Sequence, residues 1–78
     1  MRKVIFSKKS KLSKIKYAAF KNCSQLVELY LPKHLTYIDE FAFSGCTNLQ
    51  KVFIPKTIKY IRQYAFNKCQ KLKQVIFY

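Results

Sequence analysis

Ala42-Phe43-Ser44-Gly45-Cys46 is the stretch that decides the fold, because its Ala-Phe pair and its cysteine recur at a fixed interval. The same pattern is found at Ala19-Phe20 with Cys23, and again at Ala65-Phe66 with Cys69. Corresponding residues are 23 positions apart, from 19 to 42 and from 42 to 65. Repetition at a period of this size is typical of chains built from stacked structural units.

Eight positions of every copy keep an apolar or small residue. In the middle copy they are Leu35, Ile38, Ala42, Phe43, Cys46, Leu49, Val52 and Ile54, followed by Pro55. The positions between them vary freely, since Lys16, Asp39 and Arg62 occupy one shared place. A repeat that keeps its apolar positions and varies the others is a stacking unit with an inside and an outside.

The period divides the 78 residues, which form one domain, into four parts. These are an N-terminal edge strand and loop at 1–11, and repeats at 12–34, 35–57 and 58–78. The edge strand is predicted because Val4-Ile5-Phe6 resembles Val75-Ile76-Phe77. Two residues more than the repeat requires precede Leu12, and we expect them in a bulged loop over Ser7–Lys11.

Each repeat contains two local patterns. The alternation over 49–54, stopped by Pro55, predicts a short strand. The segment 40–45 predicts one or two helical turns, which its glycine ends with a positive φ. Asn22 and Lys68 hold the glycine's place in the other repeats, and lysine tolerates that conformation less well.

An isolated repeat cannot bury both patterns, but stacked repeats can. Like strands then pair in a parallel sheet, and like side chains form columns, such as Phe20, Phe43 and Phe66. Each fully buried Phe or Leu contributes roughly 1.5–3 kcal/mol relative to exposure. Burial of these side chains is therefore the term that we expect to offset the conformational entropy of the chain.

The full pattern resembles a known family. Leu-x-x-Ile-x-x-x-Ala-Phe-x-x-Cys-x-x-Leu-x-x-Val-x-Ile-Pro is similar to the BspA-like leucine-rich repeat, and it covers the chain from about Val4 to Tyr78. The common leucine-rich pattern places Asn or Cys three residues after the last apolar position of the strand. Here His34 and Thr57 hold that place, and the cysteine lies before the strand instead.

The resemblance implies an α/β fold, a right-handed leucine-rich-repeat solenoid with short parallel strands on the concave side and short helical turns on the convex side. It also implies a cell-surface or secreted protein whose function is adhesion and binding to host or matrix proteins. The family as a class has no catalytic residues to carry over, and it implies no cofactor. No signal peptide is visible, because the apolar run after the basic N-terminus stops after three residues. No run approaches the roughly 20 apolar residues of a transmembrane segment.

The concave face is the candidate binding surface, with a protein partner as the first hypothesis. Alternate residues of a strand face opposite ways, so Phe53 should point outward if Val52 and Ile54 point inward. Tyr30 and Ile76 hold the equivalent places, and Ile5 does so on the edge strand. An exposed row of apolar and aromatic side chains on a sheet suits a partner, or else another chain segment covers it.

The charge suggests a second class of partner. Sixteen Lys and Arg against three acids give +13, which indicates either a nucleic acid or acidic glycan partner or a solvated basic surface. Residues 1–27 carry eight basic residues and no acid, and residues 51–78 carry seven basic residues and no acid. Residues 28–50 between them have a net charge of −2. A nucleic-acid groove prefers a continuous basic stripe, so polyanion binding by the end repeats ranks second. Lysines and tyrosines do interleave over 14–17 and 59–64, where they can stack bases.

The remaining reactive residues form no recognisable site. An odd number of cysteines cannot all pair within one chain, and we expect buried free thiols in one column. One histidine, His34, is too few for the usual zinc sites. Asp39 and Glu40 are adjacent and should diverge, so we predict neither an enzyme nor a metal site.

The ends of the predicted stack have no polar cap. Solenoids need capping units with a polar outer face, and the last predicted strand is followed only by Tyr78. We therefore expect either a segment of a longer array or self-association through the uncapped ends.

Overall fold

The structure, a computed structural model, describes residues 3–5 and 10–78. Over these ranges the chain forms seven short strands and no helix. They are β1 (Lys3–Ile5), β2 (Lys14–Ile15), β3 (Glu28–Tyr30), β4 (Tyr37–Ile38), β5 (Lys51–Ile54), β6 (Tyr60–Ile61) and β7 (Gln74–Phe77).

The described strands form two parallel sheets. The first sheet has the order β1-β3-β5-β7, and the second sheet has the order β2-β4-β6. Neighbouring strands pair with a shift of 23 residues, as in Glu28 with Lys51 and Lys51 with Gln74. The exception is β1, whose Lys3 pairs with Glu28 at a shift of 25, which is the shift that two additional residues produce. Most of the expected bulged loop at Ser7–Lys11 lies outside the described residues.

The core lies between the two sheets and consists of the repeated apolar positions. In β5, Val52 and Ile54 are buried while Lys51 and Phe53 are only partly so, which is the predicted alternation. Phe20, Phe43 and Phe66 form the predicted column, with stacked rings whose centroids are 5.2 and 5.3 Å apart. The middle repeat therefore buries its apolar side chains against the repeats before and after it.

The expected helical turns are not confirmed, because residues 40–45 contain no helix. Residues 40–45 form turns in which Phe41 has a φ of 59°, a left-handed conformation that interrupts a right-handed helix. Amides of this region alternate between two kinds of partner. Ala42 N donates to the Asp39 carbonyl of its own segment at 3.3 Å, whereas Phe43 N donates to the Ala65 carbonyl of the next repeat at 2.8 Å. Ala18 and Tyr64 hold the place of Phe41 and share its positive φ.

A second sheet replaces the predicted helical side of the stack. Each of its strands contributes two paired residues, with Ile15 and Ile38 facing the core and Lys14, Tyr37 and Tyr60 on the other face. Two residues are too few to show alternation in a sequence. The second sheet was therefore missed, although its pairing follows the same period of 23.

The position of Gly45 requires a positive φ in every repeat, as the sequence predicts. Gly45 has a φ of 77°, and Asn22 and Lys68 adopt 63° at the equivalent places. A Cβ atom on Gly45 would overlap the Oδ1 atom of Asn22, so the glycine also permits a close approach between repeats. Lys68 has neither the freedom of glycine nor the local hydrogen-bonding side chain of asparagine.

We predict opposite effects of two substitutions at this position. Gly45→Ala should lower the free energy of unfolding by at least about 1 kcal/mol, because it adds both backbone strain and the overlap with Asn22. Lys68→Gly should raise it by up to about 1 kcal/mol, because relief of strain exceeds the entropic cost of glycine. Urea denaturation followed by circular dichroism measures both. A stabilised Gly45→Ala protein or a destabilised Lys68→Gly protein would contradict this account of the turn.

Candidate interaction surface

The outer face of the first sheet carries the three residues singled out from the sequence. Tyr30, Phe53 and Ile76 are register partners on β3, β5 and β7, so they form one row across the sheet. All three are partly buried, while their neighbours Leu29 and Val52 point into the core and are fully buried. We call this row the aromatic row.

The two rings of the aromatic row stack on each other. The ring centroids of Tyr30 and Phe53 are 4.4 Å apart, and the ring planes differ by 9°. Because one face of each ring covers the other ring, the row presents ring edges to the outside of the sheet. Ring edges carry the positive side of the aromatic quadrupole, and they favour π-faces as partners in T-shaped contacts.

Charged groups flank the aromatic row along one side. The Tyr30 hydroxyl donates a hydrogen bond of 3.0 Å to the Glu28 carboxylate, which raises the pKa of the Tyr30 phenol. Lys51 is the register partner of Glu28, and its Nζ atom lies 6.0 Å from the Phe53 ring centroid. The hydrogen bond orients the Tyr30 ring, and the two side chains place one negative and one positive charge beside the row.

A shallow polar groove borders the same sheet. Gln25, Val27, Asn48 and Gln50 line it, and Val27 and Gln50 closely precede β3 and β5. Asn48 is held in place because its Nδ2 atom donates to the Ser24 carbonyl at 2.8 Å. This groove was not predicted from the sequence, because its amide side chains lie at variable positions of the repeat.

The second sheet collects the lysines and tyrosines that interleave in the sequence. The rings of Tyr37 and Tyr60 meet edge to face at 6.2 Å, and Lys14 Nζ lies 4.8 Å from the Tyr37 centroid. Phe41 stacks on Tyr64 at 5.3 Å. The first and third repeats therefore present exposed tyrosines beside cations, separated by the acidic middle repeat.

The three cysteines are free thiols at equivalent places in the stack. The Cys46 thiol donates to the Phe20 carbonyl at 3.3 Å, and the Cys69 thiol donates to the Phe43 carbonyl at 3.2 Å. Burial raises the pKa of the Cys46 thiol to about 11, and it raises that of Cys69 as well. A high thiol pKa and hydrogen bonding to the backbone favour a packing role over a reactive one.

The other polar residues do not converge. His34 is exposed, and the Asp39 carboxylate accepts a hydrogen bond of 2.7 Å from the Glu40 amide. Within residues 3–5 and 10–78 no group of three His, Cys, Asp or Glu side chains is placed to hold a metal ion. None of the described residues belongs to a helix long and apolar enough to cross a membrane.

Comparison with known proteins identifies repeats of one type along the whole chain. The profile of the BspA type leucine rich repeat region matches residues 1–78 in six copies. No curated protein sequence matches the chain significantly.

A solved structure shares the arrangement of the backbone. The chain is similar to a leucine rich cell surface protein from Faecalibacterium prausnitzii A2-165, with a TM-score of 0.82 and 28% sequence identity. The alignment covers 83% of this chain and 17% of that protein, so the chain spans about one sixth of the length of this relative.

We predict that Cys46 makes stability depend on pH in alkaline solution. The unfolded thiol ionises near its ordinary value of 9.0, whereas the folded thiol keeps its proton up to about 11. The contribution of the buried thiol to the free energy of unfolding is therefore complete below about pH 9. It is lost as the pH rises to about 11. Urea midpoints measured from pH 8 to 11 should fall less steeply for Cys46→Ala than for the unchanged protein. Equal slopes for the two proteins would mean that Cys46 ionises alike in both states.

Proposed function

Because the chain belongs to the BspA-type leucine-rich repeat family, we propose that it is a non-enzymatic protein-interaction module whose contact surface is the aromatic row. The observation that carries this proposal is the stacked pair of Tyr30 and Phe53 on paired strands. Stacked rings on a sheet lose little entropy on binding, and aromatic side chains contribute a large share of binding energy at interfaces. Ile76 extends the row with an apolar side chain.

The geometry of the aromatic row favours a protein segment as its partner. The outward ring edges match aromatic faces or carbonyl oxygens, which are electron-rich. Glu28 and Lys51 provide polar contacts of both signs at the rim, as is usual around an apolar interface. If the stack curves as the family resemblance implies, this row lies on the concave side of a right-handed solenoid.

Adhesion at a cell surface is the setting that we propose for this module. Its support is the likeness to a leucine rich cell surface protein, of which this chain matches a small part. The activity of the whole relative does not follow from that part, so the likeness supports the cell-surface setting and the aromatic row supports the binding role. Binding of host or matrix proteins is the form of adhesion that the family suggests.

Polyanion binding through the end repeats is the second candidate. The observation in its favour is that residues 51–78 carry seven basic residues and no acid, with Tyr60 and Tyr64 exposed among them. An acidic glycan or a nucleic acid would meet both charge and aromatic rings there. The candidate ranks second because Asp39 and Glu40 interrupt the basic surface in the middle repeat.

We predict that peptides selected from a random displayed library bind through the aromatic row. Tyr30→Ala and Phe53→Ala should each weaken the selected peptides about tenfold or more, because each removes half of the ring pair. The matched control is Tyr17→Ala, which removes a more exposed tyrosine that is not on the first sheet and should leave the affinity unchanged. Isothermal titration calorimetry at low and high salt measures the affinities.

The same titrations separate the two candidates. Binding through the aromatic row should change little with salt, whereas binding of heparin through basic side chains should weaken steeply as salt increases. If Tyr17→Ala and Phe53→Ala weaken peptide binding equally, the aromatic row is not the binding site. Tight heparin binding at physiological salt, together with no selectable peptide, would favour the polyanion candidate.

A further inference from the structure

The polar groove between the first and second repeats is a cavity that takes no part in the aromatic row. Its volume is about 220 Å³, which is smaller than the roughly 300–1,000 Å³ of sites for drug-sized ligands. One apolar side chain, Val27, and three amide side chains line it, those of Gln25, Asn48 and Gln50. The groove therefore suits a small ligand whose surface is mainly polar.

The amide groups of the groove are available to such a ligand. Gln25 and Gln50 are exposed, and their side chains form no hydrogen bond to any other described residue. The Asn48 side chain is half-buried and is held by the hydrogen bond from its Nδ2 atom to the Ser24 carbonyl. Its Oδ1 atom remains as an acceptor, so all three amides can bind a ligand.

Carboxamide side chains match the hydroxyl groups of a sugar ring. A hydroxyl both donates and accepts hydrogen bonds, and a carboxamide does the same through its nitrogen and oxygen atoms. Val27 offers an apolar contact for the C–H groups of the ring. Because Asn48 is already tied to the backbone of the first repeat, its side chain loses little conformational entropy on binding.

Two lysines continue the same positions into the third repeat. Lys71 and Lys73 hold the places of Asn48 and Gln50, and both are exposed. The Lys73 amide donates to the Gln50 carbonyl at 3.0 Å, so these two residues lie side by side in the stack. A negative charge on the ligand is therefore attracted on this side of the groove.

The acidic residues of the chain oppose this attraction only weakly. Glu28 directly follows Val27, but its carboxylate accepts the 3.0 Å hydrogen bond from the Tyr30 hydroxyl and so points toward the aromatic row. Asp39 and Glu40 follow β4, which belongs to the second sheet. The two lysines therefore outweigh the one carboxylate near the groove.

The lining favours a sugar over a nucleic acid or a peptide. None of the described lining residues is aromatic, so a base has no ring on which to stack. A peptide is usually anchored by an apolar or aromatic side chain in a pocket, and Val27 alone among the described lining residues is apolar.

We infer that the polar groove binds one carboxylate-bearing sugar unit of an acidic glycan. The amides of Gln25, Asn48 and Gln50 bind its hydroxyl groups, and Lys73 pairs with its carboxylate. The site lies beside the first sheet, apart from the exposed tyrosines of the polyanion candidate. It shares no residue with the aromatic row, so the inference stands or falls independently of the proposed function.

A hyaluronan tetrasaccharide is the probe, because its glucuronate units carry a carboxylate and no sulfate. We expect millimolar tetrasaccharide to bind the 78-residue chain and to shift the side-chain amide resonances of Gln25, Asn48 and Gln50. Chitotetraose, a neutral oligomer of N-acetylglucosamine, is the matched control ligand. It should bind at least about fivefold more weakly, because it has no charge to pair with the lysines.

A pair of glutamine substitutions locates the site on the protein. Gln50→Glu replaces an exposed amide by a carboxylate of the same size, and it should weaken the tetrasaccharide at least about tenfold by repulsion. Gln63→Glu is the matched control, since Gln63 is an exposed glutamine that follows β6 of the second sheet. It changes the net charge equally and should weaken binding less than about twofold.

A pair of lysine substitutions tests the position of the carboxylate. Lys73→Gln should weaken the tetrasaccharide several-fold and reduce the dependence of its affinity on salt. Lys59→Gln removes an exposed lysine that precedes β6, and it should change neither quantity. Chitotetraose should bind both variants and the unchanged protein equally, which a damaged groove would not permit. Circular dichroism verifies that each variant is folded.

Several results would overturn the inference. The first two are the absence of resonance shifts at millimolar tetrasaccharide, and chitotetraose binding as tightly as the tetrasaccharide. Equal weakening by Gln63→Glu and Gln50→Glu would also reject the groove. Shifts confined to Tyr60 and Tyr64 would place the glycan on the end repeats instead. If a peptide from the displayed library shifts the groove amides and the tetrasaccharide does not, the occupant is a protein segment.

Discussion

Burial between neighbouring repeats is the interaction on which the rest of the structure depends. No repeat can cover its own apolar side chains, since each contributes only one strand to each sheet. The cost of missing a neighbour is visible at equivalent valines, where Val52 is fully buried and Val75 is half exposed. Each further repeat therefore stabilises the one before it, as nearest-neighbour models of repeat proteins describe.

The same stacking positions the candidate surfaces. Because Leu29 and Val52 face the core, Tyr30 and Phe53 must face outward, and the 23-residue register places them side by side. Their ring stacking is thus a consequence of the repeat rather than of a dedicated loop. The second sheet aligns Tyr37 and Tyr60 in the same way. The candidate surfaces lie at the variable outward positions, whereas the repeated apolar positions determine the fold.

The sequence predicted the parts of the fold that follow from periodicity. The parallel pairing, the column of phenylalanines and the left-handed conformation at Gly45 each recur every 23 residues, so three copies reveal them. The helical turns were predicted from local propensity and are not confirmed, because only alternate amides bond along the segment while the others bond to the neighbouring repeat. A local pattern cannot show whether an amide finds its partner within its own repeat or in the next one.

The candidate site was less predictable than the fold. The outward direction of Tyr30 and Phe53 follows from alternation, but their ring geometry and the hydrogen bond from Tyr30 to Glu28 required coordinates. Tyr78 shows why some contacts have no signal in the sequence. Its hydroxyl donates to the Leu31 carbonyl two repeats away, and it holds the place where the earlier repeats have Pro55 and Pro32. A contact made by one copy alone is invisible to an argument from repetition.

Hydrogen exchange of the native protein tests the central claim most directly. If the repeats stabilise one another, the amides of Asp39, Phe43 and Gly45 should be the slowest to exchange, because they bond to the first or the third repeat. These amides should exchange at a common rate set by unfolding of the whole stack. Amides of the third repeat, where Ile61 and Val75 are exposed, should exchange faster. Equal protection in all three repeats, or a middle repeat that exchanges before its neighbours, would contradict the account.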